Sequence, residues 1–267
     1  MSRIVLHPGF HKTGTSSIQH FLWHNRAALE QDVSLALLRH MRPLVRAVGR
    51  YSRGRDPVEL IDLGALVDEM LESAAPDPDR TLVVSCEGLL GRLPGRPGIE
   101  DFDSAPTLAV ELAKQFAARF PARPLEIVLT TRRGADWLAS VYRHHLQGAR
   151  LTMGAAEFGA RYAAVAHLNR HAALIEAAVA PVPVLRLPLE RARQHPLGPG
   201  GAFCAAIGVP DETIARLTPV GHGNAGPDPA LWQQFLDLNR SEAADDEVRA
   251  GKDRLAKAAG LGGWTPA

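Results

Sequence analysis

Two cysteines in 267 residues are too few for a disulfide framework. Cys86 and Cys204 stand far apart and form no C-x-x-C. They read as two buried free thiols of a reducing compartment rather than a bridge or a metal site. No apolar run is long enough to cross a bilayer, so the chain is not expected to span a membrane. The N-terminus lacks a basic segment followed by a hydrophobic one. Its short apolar run therefore reads as a strand, and a cytoplasmic location is the expectation. Excess charge is missing too: 30 basic against 29 acidic side chains leave +1. That balance provides no global field for nucleic acid or an acidic membrane, so any anion site must come from locally placed basic groups. Lysine is scarce beside alanine, arginine and proline, a bias of GC-rich genomes that points to a bacterial source. Internal repeats and low-complexity linkers are absent.

What is present is ordinary for a globular chain: 46% hydrophobic and 22% charged residues. The length suits one α/β domain over residues 1–267, or one such domain with a helical insertion. Strand patterns fall at 3–7, 81–85, 125–131 and 182–187, the last marked as an edge or a strand start by Pro183. The run 33–38 is too short for periodicity to choose between strand and helix. Helix patterns run from Ser16 or Ser17 to about Glu30, from Pro57 to about Leu71, and over 107–120, 133–146, 155–162, 168–179 and 201–207. Two charged helices follow from about residue 227. Strands alternating with helices predict a mostly parallel central sheet covered on both faces, a three-layer α/β/α fold with extra C-terminal helices.

One stretch organises the rest. After Ile4-Val5-Leu6 comes His7-Pro-Gly-Phe-His-Lys-Thr-Gly-Thr-Ser-Ser17, and then the helix pattern that starts at Ile18. Strand, glycine loop, helix is the arrangement that seats a phosphate on a helix N-terminus. The ATP-binding loop reads G-x-x-x-x-G-K-[ST]. Here Gly9 and Gly14 keep the glycine frame, and Thr15 and Ser16 follow. The lysine has moved forward to Lys12. A loop with its cation displaced still cradles an anion, but it need not be built for the β- and γ-phosphates of Mg·ATP.

Two further pieces face the same edge. Leu129-Thr-Thr-Arg132 ends a strand on an arginine, and Ser140 follows eight residues later on a helix. Ligands of such sheets sit outside the carboxyl ends of the strands, and a guanidinium matches a phosphate with a rigid fork. Val83-Val-Ser-Cys-Glu87 ends another strand on a carboxylate. Glu87 is either a metal ligand, together with Ser16, or a general base. The base is preferred because the loop departs from the ATP form. His144 and His145 have no partner at ligand spacing, so no metal is expected.

Phe10-His-Lys-Thr-Gly-Thr-Ser-Ser17, with Arg132 and Ser140, resembles the two phosphate motifs of sulfotransferases that use 3′-phosphoadenosine 5′-phosphosulfate (PAPS), most closely a bacterial branch with an H-K-T-G-T loop. The resemblance implies a P-loop, nucleotide-kinase-like domain with PAPS as co-substrate. Lys12 would contact the 5′-phosphosulfate, and Thr13, Gly14, Thr15, Ser16 and Ser17 would hold the 5′-phosphate. Arg132 and Ser140 would hold the 3′-phosphate. The family often has an acidic or Asn residue and a proline after the arginine. Here Arg133 and Gly134 stand there, so Arg133 shares or competes for that role. Glu87 would be the base, with Ser85 as a substrate or cofactor contact. His11 either faces the transferred group or packs the loop. Trp137 packs in the core or near the adenine, while Trp23, Trp232 and Trp264 read as packing residues. His222 and Asn224, in a late glycine-rich loop, would close over the nucleotide or form an ordinary turn. The acceptor would be a hydroxyl or amine of a small molecule, carbohydrate or lipid. The arginine-rich stretch 39–55 is either a solvated helix face or part of the acceptor pocket. A P-loop kinase or NTPase, or a non-catalytic nucleotide-binding relative, are the alternatives.

Overall fold

The computed structural model describes residues 2–220 and 229–260. In chain order, β1 (Ile4–His7) leads through a loop into α1 (Thr15–His24) and the short α2 (Arg26–Leu29). Then β2 (Val33–Leu37) is followed by α3 (Arg42–Gly54) and α4 (Leu63–Ala74). Next, β3 (Thr81–Ser85) runs into a 3-10 turn at Glu87–Leu90 and, after a loop, α5 (Ala105–Arg119). After β4 (Leu125–Thr131) come α6 (Gly134–Gly148), α7 (Ala155–Tyr162) and α8 (Leu168–Val179). Finally β5 (Val184–Pro188) precedes α9 (Leu189–Ala192), α10 (Gly198–Ala206), α11 (Asp211–Ile214), α12 (Pro229–Arg240) and α13 (Asp245–Ala258).

The five strands form one parallel sheet in the order β2-β3-β1-β4-β5. Strand alternation sends side chains to two cores, as period two requires. Ile4, Leu6, Leu82, Val84, Ile127 and Leu129 face one core, shared with α4, α5 and α8. Val5, Val83 and Val128 face the other, against Ile18, Phe21 and Leu22 of α1 and Phe203 of α10. Both faces are thus covered, which gives the three-layer α/β/α fold. The chain leaves β1 toward β2 and leaves β4 toward β5. The neighbours β1 and β4 therefore send their loops in opposite directions and open a crevice between them.

Three local outcomes differ from the sequence patterns. The run 33–37 is a strand, decided by its parallel pairing with β3. The first helix stops at His24 rather than about Glu30. Asn25 breaks it there: its Nδ2 donates to the Thr218 carbonyl at 3.0 Å and its Oδ1 accepts from Thr218 N–H at 2.8 Å. Pro57 opens a single 3-10 turn, Pro57–Leu60, capped by the Asp56 carboxylate, and the helix proper begins at Leu63.

The C-terminal helices brace α6. Lys252 of α13 is 5% exposed, and its ammonium donates to the carbonyls of Leu146 at 3.1 Å and Ala149 at 2.8 Å, and to Asn239 Oδ1 at 2.9 Å. Asn239 of α12 adds a bond to the Leu146 carbonyl at 3.1 Å. A cation and amide donors on the last carbonyls of a helix satisfy orphan acceptors and the negative dipole end together. The helix so held is the one that carries Trp137 and Ser140. His222, Asn224 and Trp264 lie outside the described residues.

Candidate active site

The loop between β1 and α1 is shaped by three side-chain donors on three successive carbonyls. Thr13 Oγ1 donates to the Phe10 carbonyl at 2.5 Å. Trp137 Nε1 donates to the His11 carbonyl at 2.9 Å, and Arg132 Nη1 to the Lys12 carbonyl at 3.0 Å. A trans peptide sets each C=O antiparallel to the next N–H. The amides of His11, Lys12 and Thr13 therefore point away from the groups that engage those carbonyls. The Thr13 hydroxyl is itself tied to Thr130 Oγ1 of β4 at 2.6 Å. Every clamp except Thr13's own comes from the β4–α6 segment.

This clamping holds a costly backbone. Lys12 sits at φ 67, a left-handed conformation that a side chain rarely adopts. Gly14, at φ 97, is the N-cap of α1, and a Cβ there would meet Leu189 Cδ1 at 2.6 Å. No side chain caps α1. Its first intrahelical bond runs from Ile18 N–H to the Gly14 carbonyl at 3.1 Å. The amides of Thr15, Ser16 and Ser17 thus have no acceptor within the helix. The hydroxyls of Ser16 and Ser17 are exposed. Thr15 Oγ1 is buried and lacks a protein partner. Free amides, a helix dipole and an orphan hydroxyl make the loop an anion cradle.

Charged groups converge on this cradle. Burial, Arg132 and Arg143 pull the Lys12 pKa below that of an ordinary lysine, while Glu87 pushes it up. Glu87 begins the 3-10 turn after β3. Gln19 of α1 fixes it, with Nε2 donating to Glu87 Oε2 at 3.1 Å and to the Ser85 carbonyl at 3.2 Å. His11 is half-buried, and burial first, then Arg96, Lys12 and His145, lower its pKa to about 3. His144 is lowered to about 3 by burial and by Lys12, His145, Arg96 and His11. Both imidazoles are therefore neutral at ordinary pH.

Arg132 is half-buried at the end of β4, its pKa lowered by burial and by Arg193. It borders an open cavity of about 620 Å³ at the carboxyl ends of β4 and β5, lined also by Gly134, His167, Arg170 and Pro188. That size lies in the usual range for small ligands. Arg133 borders the same cavity; its side chain is 75% exposed and pairs with Asp136 at 2.8 Å and Glu190 at 3.7 Å. Ser140 is half-buried on α6, on the stripe that runs from Asp136 to His144.

Several residues take other places than their sequence context indicates. Ser85 is fully buried, and its hydroxyl bonds His7 Nδ1 at 2.8 Å, so it is a strut between β1 and β3. Trp137 has no exposure and sits against Phe102, with ring centroids 5.9 Å apart, as a buttress of the loop. His144 is half-buried on α6. His145 is 1% exposed and bonds the Pro94 carbonyl at 2.8 Å. Sequence reasoning missed Gln19 and Thr130. Gln19 was visible only as a polar residue inside the apolar pattern Ile18–Leu22.

No protein-family model matches this sequence, and no curated protein is similar to it. Among solved structures, a sulfotransferase from Alicyclobacillus acidocaldarius is similar at 16% sequence identity and a TM-score of 0.46, over 97% of this chain and 96% of that one. The likeness is distant and assigns no residue a role.

Proposed function

We propose that the protein transfers the sulfuryl group of PAPS to a hydroxyl or amine of a small-molecule, carbohydrate or lipid acceptor. The observation that carries this reading is the bond from Arg132 Nη1 to the Lys12 carbonyl. It couples a β4 guanidinium to the anion loop, so that two phosphate-binding groups stand side by side across the β1/β4 crevice. A nucleotide with phosphates on both its 5′ and 3′ positions uses both. A nucleoside triphosphate would leave Arg132 only its bond to the loop.

In this reading Lys12 and the amides of loop and helix, from Thr13 to Ser17, bind the 5′-phosphosulfate. Arg132 binds the 3′-phosphate with the donors it does not spend on the loop, and Ser140 adds a hydroxyl. The nucleoside extends toward the cavity beyond Arg132. Arg133 is paired with Asp136 and Glu190, so this reading gives the 3′-phosphate to Arg132. The acceptor oxygen attacks sulfur in line, and its proton passes to Glu87. The bond from sulfur to the 5′-phosphate oxygen breaks, and Lys12 stabilises the charge left on that oxygen. Gln19 keeps the Glu87 carboxylate oriented and competes for only one of its oxygens. This reading gives the proton to Glu87 rather than to His11 because Gln19 holds the Glu87 carboxylate in place. Positioning and charge stabilisation supply most of the rate, as in phosphoryl transfer.

Thermal stability with two ligands tests this. 3′-Phosphoadenosine 5′-phosphate, the bisphosphate product, should raise it by about 2.7 kcal/mol at one hundred times its dissociation constant. A rise with Mg·ATP and none with the bisphosphate would assign the loop to a kinase or NTPase instead.

A further inference from the structure

Among the described residues, one group of cations near this site has no counter-ion. Arg92 and Arg96 follow the Glu87–Leu90 turn, and Arg53 lies on the last turn of α3, which packs on that turn. Val45 of α3 sits so close to Gly88 that a Cβ there would meet its Cγ1 at 2.6 Å. Arg92 is anchored rather than mobile. Its N–H donates to Ser52 Oγ at 3.1 Å and its Nε to the Gly49 carbonyl at 3.1 Å, and its outer nitrogens have no acceptor among the described residues. Arg96 Nη2 lies 3.4 Å from His144 Nε2. The Arg53 stem lies over Gly98, where a Cβ would come 3.0 Å from its Cγ.

Nearby carboxylates are committed elsewhere: Asp101 to Arg55 at 3.6 Å, Glu59 to Arg50, and Glu100 to Arg161 at 2.9 Å. Among the described residues none of the three arginines has an ion-pair partner. Arg53 and Arg96 act on Arg92, and Arg96 acts on His11 and His144. Positive charge therefore extends from Arg53 through Arg92 and Arg96 to His11 and His144, the two histidines on which Lys12 also acts. Like charges held together repel, and a bound anion relieves that repulsion. The 5′- and 3′-phosphates are already served at the β1/β4 crevice, so these arginines are surplus to the nucleotide.

We propose that the acceptor carries an anionic group of its own, a carboxylate, phosphate or sulfate, bound by Arg53, Arg92 and Arg96 while its hydroxyl reaches Glu87. The proposal rests on the transfer reading above. The test is calorimetry on the protein saturated with the bisphosphate. The probes are hydroxylated compounds paired so that one member bears a single added anion: phenyl glucoside and phenyl glucuronide, galactose and galactose 6-phosphate, phenol and 4-hydroxybenzoate. At least one anionic member should bind about tenfold or more tightly than its neutral partner, the worth of one charge-assisted hydrogen bond. Arg53→Ala and Arg96→Ala should each erase that preference while the bisphosphate still binds. Arg53 is exposed and Arg96 half-buried, so thermal melts should show both variants folded. Equal binding within every pair, no binding by any anionic member, or a preference that survives both substitutions would overturn the proposal. Failure of the bisphosphate itself to bind would overturn the transfer reading, and is read separately.

Discussion

The two halves of the sheet's carboxyl edge treat their cations in opposite ways. At the β1/β4 crevice the guanidinium of Arg132 is bonded into the loop it serves, and the loop is clamped from β4 and α6. At the β3 side, Arg53, Arg92 and Arg96 are held by stem, backbone and histidine contacts, and among the described residues none has a carboxylate partner. The first half is preorganised, which suits a ligand that must be held in one pose. The second half offers charge without a fixed cradle, which suits a partner that varies. Glu87 stands between them, tied to α1 through Gln19.

Substitutions can break this comparison, beginning with its centre. Glu87→Gln should lower the rate of transfer by about 10² to 10⁴, the usual worth of a general base, with bisphosphate affinity retained. Equal loss of binding and rate would make Glu87 a ligand contact and not a base. Lys12→Ala should lower turnover by about 10² to 10³, as loss of one donor to a developing charge does. Steady-state rates with PAPS read both.

Arg132→Ala should weaken the bisphosphate by about ten- to a hundredfold, yet leave adenosine 5′-phosphate nearly unchanged. Its bond to the Lys12 carbonyl complicates this, so Arg132→Lys, a cation without the fork, is the useful second variant. Trp137→Phe removes the donor to the His11 carbonyl and should cost about 1–3 kcal/mol of stability. The same change should loosen the loop and raise the bisphosphate dissociation constant. Urea unfolding and calorimetry separate the two effects. Unchanged values in both would show that Trp137 is no clamp.

The last effect is in acid. Burial lowers the pKa of His7 to about 3, and its Nε2 lacks a partner. Between about pH 3 and pH 6.5 the unfolded chain binds a proton there that the folded chain refuses. Stability should therefore fall as pH falls through that window, by at most about 1.4 kcal/mol per pH unit for each such group. His11 and His144 act in the same sense. His7→Gln should flatten the slope, measured as urea midpoints from about pH 4 to pH 7. A slope equal to that of the parent would show that His7 titrates in the fold as it does in the unfolded chain.

Much of this was legible in the chain. The glycine frame, Lys12, Arg132 and Glu87 each stand at the end of an apolar strand pattern, and parallel strands bring such ends to one edge. What stayed hidden depends on partners remote in sequence. The break at Asn25 is made by Thr218, and the clamp on His11 by Trp137. The burial of Ser85 is set by His7. A run of five residues at β2 carries too few periods to choose its own structure, and β3 decides it. The pairing of Arg133 is made by Glu190 of α9, 57 residues on.

Calorimetry of the bisphosphate against adenosine 5′-phosphate, without added metal, tests the account most directly. Two-site phosphate binding predicts that the bisphosphate binds at least about tenfold tighter, and that Arg132→Ala removes the difference. Equal affinities for the two nucleotides, or tighter binding of Mg·ATP than of either, would contradict it.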